Sequence, residues 1–226
     1  GIPAAPAQSR CPNRQVRPPN SETTPTAPRK STGRRTLSPM YSHLLVPLDG
    51  GDRAQAVLHP SAAMARSFDA TLIVVGSETT LASLDVDTIH APDVVAVRTE
   101  VDLPSSLERV GDNLPEPLVV FAGASWQAYA DAWSGDLLVF GPTSTPEDYV
   151  VGGTMLIDRR ITAGDADARA TTAIVLGFGY ATTDDLSSAV PERNGQVVIP
   201  VRSDTEVVTD LVARWTGPVF LRAEEA

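Results

Sequence analysis

A carboxylate and two glycines stand together at the end of an apolar run. His43–Leu48 is short and apolar, and Asp49-Gly50-Gly51 follows it directly. This pattern is typical of a buried parallel strand that enters a tight turn. The Asp49 carboxylate could contact a ligand at the strand end, and Gly50 and Gly51 would let backbone amides approach an anion near a helix start. The alternative is structural, with Asp49 capping the next helix and the glycines forming a tight turn.

A second glycine follows another apolar run. Leu118–Ala122 is a predicted strand, and Gly123-Ala124-Ser125 comes directly after it. The Ser125 hydroxyl could donate a hydrogen bond to an anion. Serine before a helix is more often an N-cap, and we favour that interpretation.

Other catalytic and metal-binding patterns are missing from the sequence. His43, His59 and His90 are scattered, and no carboxylate or thiol stands at ligand spacing from them. We therefore expect no metal site. No nucleophile elbow, Walker loop or dinucleotide fingerprint occurs. The sequence thus predicts no catalytic residues and a protein that is not an enzyme.

The elements around Asp49 form a complete unit of strand, helix and strand. Between Asp52 and Asp69, apolar residues recur at three- and four-residue spacing. This predicts one amphipathic helix with Asp52 at its N-cap. Thr71–Val75 is a second apolar strand, and a helix between two such strands indicates a right-handed crossover in a parallel sheet. The same reasoning predicts strands at 94–101, 118–122 and 137–140 and helices at 104–110 and 125–133.

This unit resembles the universal stress proteins, whose first strand commonly reads like LVPLDGS before an alanine-rich helix. The chain has Leu45-Val46-Pro47-Leu48-Asp49-Gly50, then the helix from Ala54 to Ala65, then the strand from Leu72 to Val75. The resemblance implies a doubly wound α/β fold with five parallel strands, of the adenine nucleotide alpha hydrolase type, often dimeric and in one branch ATP-binding. There the aspartate that matches Asp49 lies beside the nucleoside. The nucleotide-binding positions that follow from the resemblance and the strand ends are Pro47, Asp49, Gly50, Gly51, Gly76, Gly123 and Ser125.

The phosphate loop of this family is incomplete in the chain. ATP-binding members read roughly G-x2-G-x9-G-[ST] after the fourth strand, because glycines let the backbone wrap phosphates. The chain keeps Gly123, but no second glycine and no Gly-[ST] pair follow before the predicted fifth strand. A similar but imperfect glycine loop, Gly141-x2-Ser144-x8-Gly153-Thr154, comes after that strand, with serine in place of the second glycine and a spacing one residue shorter.

These features favour a non-catalytic stress-response or regulatory protein that acts through self-association and keeps at most a vestigial nucleotide pocket. One alternative is an ATP- or AMP-binding universal stress protein, which would take ATP or AMP as its ligand. A second alternative is a nucleotide hydrolase on the same fold.

The second half of the sequence repeats the end of the first. Leu118–Phe121 and Trp133-Ser134-Gly135 are echoed by Gln196–Ile199 and Trp215-Thr216-Gly217. Chance similarity of apolar strands is the alternative to a true repeat. Three further segments would match the third strand, the short helix and the first strand, respectively: Ala173–Gly177, Asp184–Val190 and Met155–Asp158.

The repeat predicts a domain organisation. A basic tail at 1–39 precedes a universal-stress-like α/β domain at 40–145 and a truncated second unit at 146–226. In this hypothesis the two units pair along their last strands within one chain, as the subunits of dimers in the resembled family do. A homodimer is the alternative form of self-association.

Composition limits the partners and the location. Residues 1–39 hold seven basic residues and one acidic residue, a net charge of +6, whereas the rest holds 11 basic and 27 acidic residues, a net charge of −16. The tail has too few large aliphatic residues to fold, so we expect disorder there. The acidic body repels nucleic acid.

Cys11 is the only cysteine and no apolar run could span a bilayer, so we expect a cytoplasmic protein without a membrane partner.

Overall fold

The protein has an α/β architecture, and the strands that the structure describes form a nine-stranded, mostly parallel sheet. The computed structural model describes residues 41–85, 88–148, 155–162, 180–190 and 196–223. The predicted basic tail at 1–39, the predicted strand at 173–177 and the end of the imperfect glycine loop at 153–154 lie outside the described residues. Among the described helices, none is long and apolar enough to cross a membrane.

The first part of the chain alternates strands and helices. Its elements are β1 (His43–Leu48), α1 (Asp52–Ala56), α2 (Leu58–Phe68), β2 (Thr71–Gly76), α3 (Glu78–Ala82), β3 (Asp93–Arg98), α4 (Leu103–Gly111), β4 (Pro117–Ala122), α5 (Trp126–Ala132) and β5 (Leu137–Phe140).

The second part is shorter in its described elements. They are a 3₁₀ turn (Pro146–Asp148), β6 (Met155–Asp158), α6 (Arg159–Thr162), β7 (Tyr180–Thr183), β8 (Val198–Ile199), α7 (Thr205–Arg214) and β9 (Pro218–Leu221).

The strand order across the sheet is β3-β2-β1-β4-β5-β9-β8-β6-β7. Every neighbouring pair is parallel except β5 and β9, which pair antiparallel with Leu137 opposite Leu221 and Phe140 opposite Pro218. In the first part, β2 and β3 lie on one side of β1, whereas β4 and β5 lie on its other side. In the second part, β7 lies on one side of β6, whereas β8 and β9 lie on its other side. The order therefore reverses between β1 and β4 and again between β6 and β8, and open α/β sheets bind ligands at such points.

The predicted helix between Asp52 and Asp69 is broken at Val57. Pro60 lacks the N–H that would bond to the carbonyl four residues earlier, so α1 ends and α2 begins around this gap. Ser61 resumes the helical bonding, with its backbone N–H 3.1 Å from the Val57 carbonyl. The prediction of Asp52 as N-cap was wrong, since Gly51 has the extended N-cap conformation and Asp52 is the first helical residue. Asp69 closes α2 in the left-handed conformation, at φ 55°.

The core fills both faces of the sheet. In β1, Leu44 and Val46 pack with the side chains of α1 and α2, whereas Leu45 packs on the other face with α4 and α5. Burial on both faces explains why β1 is continuously apolar. Trp215 is fully buried after α7, and its indole N–H donates to the Gln196 carbonyl at 2.8 Å.

The predicted short helix at Asp184–Val190 was wrong, because this segment forms turns. The Asp185 carboxylate accepts the Ser187 backbone N–H at 3.0 Å. Local bonds of this kind compete with helical bonding. Strand β7, directly before this segment, was missed by the sequence analysis.

Candidate functional site

The carboxyl end of β1 carries the predicted Asp49-Gly50-Gly51 turn. One Asp49 carboxylate oxygen accepts the Gly51 backbone N–H at 2.9 Å, so the aspartate stabilises the turn that leads into α1. Gly50 has φ +89°, a left-handed conformation that glycine adopts without strain. A Cβ at Gly50 would lie 3.5 Å from the Thr80 hydroxyl, which places α3 beside this turn. Asp49 and both glycines are exposed.

The carboxyl end of β4 carries the second predicted glycine. Gly123 has φ +147°, and its N–H donates to the Phe140 carbonyl at 3.0 Å, which extends the pairing of β4 with β5. A Cβ there would lie 3.2 Å from the Phe121 ring. Ser125 is the N-cap residue of α5, as we favoured, but its hydroxyl makes no capping bond and is exposed.

The remaining predicted positions belong to the strands. Pro47 is buried within β1 opposite Val75, and Gly76 ends β2 opposite Leu48. The Gly76 carbonyl accepts the Thr99 N–H at 2.9 Å. The seven predicted positions therefore lie at or near the carboxyl ends of three neighbouring strands, β2, β1 and β4. We call this region the first crevice.

Tyr129 was not singled out by the sequence analysis. Its phenol is affected by the negative charge of Asp49 in the first crevice. Tyr129 is buried on α5 and its ring packs on Phe121, with 4.3 Å between ring centroids. Burial raises the pKa of the Tyr129 phenol, and the negative charges of Asp49 and Asp102 raise it further. The phenol therefore stays protonated at neutral pH and is no candidate for a general base.

The corresponding reversal between β6 and β8, which we call the second crevice, contains a charged cluster. Asp158 ends β6 and is only 2% exposed. The Arg160 guanidinium bonds to both oxygens of Asp158, with Nη2 to Oδ2 at 2.7 Å, and to Asp204 at 2.8 Å. Asp204 is the N-cap of α7 and accepts the Val207 N–H. The Arg160 bond holds the pKa of the Asp204 carboxyl below its usual value.

Arg160 bridges the two acidic residues of the second crevice. Its guanidinium links the residue that ends β6 to the residue that begins α7. A buried carboxylate requires a partner, and Asp158 has one in the same chain. Sequence reasoning could have noted Asp158 and Arg160 two residues apart, but Asp204 becomes their neighbour only through the fold.

Arg202 joins the two parts of the chain. It follows β8, and its guanidinium donates to the backbone carbonyls of Ala130 at 3.0 Å, Gly135 at 2.6 Å and Trp133. These carbonyls belong to the end of α5 and the loop after it, where helical carbonyls lack partners and a positive charge is favourable. The sequence carries no signal for this contact, because the acceptors are backbone atoms.

Asp136 makes a second connection between the parts. One of its carboxylate oxygens accepts the Tyr41 hydroxyl at 2.5 Å, and the other accepts the Ala223 N–H at 2.7 Å. The loop before β5 is thus fixed both to the entry of β1 and to the exit of β9. Burial, followed by the Asp136 charge, raises the pKa of the Tyr41 phenol.

Within the described residues, no group of three His, Cys, Asp or Glu side chains could hold a metal ion. Comparison with known proteins finds no protein family that matches the chain and no matching curated protein. Any function must therefore be inferred from the two crevices and from the contacts between the two parts of the chain.

Proposed function

We propose that the chain is a non-catalytic regulatory protein of the universal-stress type, in which the second unit takes the place of a partner subunit. The antiparallel pairing of β5 with β9 carries this proposal. It joins the last strand of one α/β unit to the last strand of the other, inside one chain. The edge of β5 that would otherwise be open to another molecule is thereby covered.

The matched ends of the two units support a tandem origin. α5 ends at Ala132 and α7 ends at Arg214, and the C-cap residues that follow, Trp133 and Trp215, are both extended. Each tryptophan is followed by a glycine two residues later and then by a strand. β1 ends beside Asp49 and β6 ends at Asp158. The strand order from β5 outward, β5-β4-β1-β2, is matched by β9-β8-β6-β7.

The contents of the crevices support a non-catalytic role. The Asp49 carboxylate is engaged by its own turn, and the Asp158 carboxylate is engaged by Arg160. General acid–base or nucleophilic catalysis needs a base within hydrogen-bond reach of the group that it activates. Asp49 and Asp158 instead serve to hold backbone and side chains in place.

An ATP- or AMP-binding protein is the second candidate, and Gly50 favours it. The turn at Gly50 combines a left-handed φ of +89° with an exposed position next to α3. Such a turn brings backbone amides towards a bound anion. In this candidate the nucleotide would bind in the first crevice.

A thermal-shift titration of the full chain with ATP and AMP, each with and without Mg²⁺, tests the proposal, because specific binding stabilises the folded state by mass action. We expect no saturable rise in Tm with either nucleotide. A saturable rise that Asp49→Ala abolishes would favour the second candidate. Asp131→Ala is the matched control, since it removes the same charge from the exposed surface of α5.

A further inference from the structure

A cavity of about 300 Å³ lies between α2 and the segment that follows α3. Its floor is aliphatic, formed by Leu58, Ala62, Leu84 and Ile89. Leu58 and Ala62 are 6% and 3% exposed, so this floor is an extension of the core. The volume is at the lower end of the range for small-molecule sites.

Within the part of the chain that the structure describes, the rim of this cavity carries one charge of each sign. Arg66, on the last turn of α2, donates through Nη1 to the His90 carbonyl, which holds its guanidinium at the mouth. Among the residues that the structure describes, Arg66 and Asp85 have no ion-pair partner. His59 and His90 also line this cavity. The rim can therefore bind a charged head group while the floor takes an apolar body.

We propose that this cavity binds a small organic carboxylate carried on a short aliphatic chain, with Arg66 as its anchor. The planar guanidinium fork matches a carboxylate and binds it through two N–H groups. The bond to His90 fixes Arg66 in advance, which lowers the entropic cost of binding. Residues of the first crevice do not line the cavity, so this inference is independent of the proposed function.

Two sources supply a ligand of this chemistry, a short fatty acid or an aliphatic amino acid. Asp85 distinguishes them. Its carboxylate repels a plain carboxylate ligand but attracts the ammonium group of an amino acid. Hexanoate and norleucine share the same six-carbon chain, so the difference between their affinities measures the contribution of the ammonium group.

The test titrates the full chain with hexanoate, norleucine and hexan-1-ol, followed by calorimetry and by chemical shifts of the α2 amides. We expect saturable binding of hexanoate or norleucine, in about the millimolar range for ligands of this size, and shifts confined to the cavity. Hexan-1-ol lacks the carboxylate and should bind at least about tenfold more weakly.

Variants assign the binding to the cavity. Arg66→Gln should weaken the bound carboxylate at least about tenfold, whereas Arg109→Gln, an exposed charge loss on α4, should leave binding unchanged. Ala62→Leu should fill the floor and abolish binding while circular dichroism confirms that the variant folds. If norleucine is the better ligand, Asp85→Asn should remove its advantage over hexanoate.

Three results would overturn the proposal. They are the absence of saturable binding by both carboxylates, equal binding of hexan-1-ol, and carboxylate binding that is unchanged in either Arg66→Gln or Ala62→Leu. Nucleotide titration of the same samples reports separately on the first crevice, so failure here does not affect the proposed function.

Discussion

Replacing Arg202 with alanine should destabilise the whole chain. The substitution removes the hydrogen bonds to the carbonyls of Ala130, Trp133 and Gly135, together with longer ones to Ser134 and Arg222. A hydrogen bond to a charged donor contributes about 1.5–3 kcal/mol, and water partly replaces it at a half-exposed site. We therefore expect a loss of about 3 kcal/mol in the free energy of unfolding, or a fall in Tm of about 6–12 °C for a chain of this size.

Urea denaturation followed by tryptophan fluorescence and by circular dichroism measures this loss. Arg202→Lys should recover less than half of it, because an ammonium group cannot serve several carbonyls in a fixed fork. Arg109→Ala removes an exposed arginine at the end of α4 and is the matched control. A loss below about 0.5 kcal/mol for Arg202→Ala, within the usual range for surface substitutions, would refute the inference that this residue joins the two parts.

Further predictions concern the two crevices. Gly50→Ala should cost about 1–2 kcal/mol by urea denaturation, because alanine is strained at φ +89°; a loss below about 0.5 kcal/mol, within the usual range for surface substitutions, would contradict this cause. Arg160 lowers the pKa of Asp204 in the folded state. The pair therefore gives its full stabilisation above pH about 4, the ordinary carboxyl pKa. This stabilisation is lost as the pH falls through the lowered pKa that Asp204 has in the folded state. Arg160→Gln should therefore reduce the acid-dependent loss of stability, and an unchanged pH profile would count against the pair.

Local sequence patterns predicted the first half of the fold well. β1 has the predicted bounds of His43–Leu48, and β5 has those of Leu137–Phe140. Both are continuously apolar because they are buried on both faces, a pattern that short exposed segments do not share. Capping was less predictable. Asp52 and Gly51 are neighbours that can each cap a helix, and local sequence preference does not decide between them.

The contacts that define the crevices were not predictable from the sequence. Arg160 meets Asp204 across 44 positions of the chain, and local spacing contains no information about such pairs. Arg202 binds carbonyls, which every residue possesses, so no side-chain pattern marks its acceptors. Pro60 does carry a signal, since a proline in a helical pattern predicts a break or kink, although the apolar spacing continues across it without interruption.

The most direct test of the central claim is to measure nuclear Overhauser contacts between β5 and β9 in the full chain. The tandem proposal predicts backbone contacts in the antiparallel register that places Leu138 opposite Phe220 and Val139 opposite Val219. Isotope-filtered spectra of a mixture of labelled and unlabelled chains should show that these contacts arise within one molecule. Contacts only between different molecules, or none between these strands, would contradict the claim that the second unit takes the place of a partner.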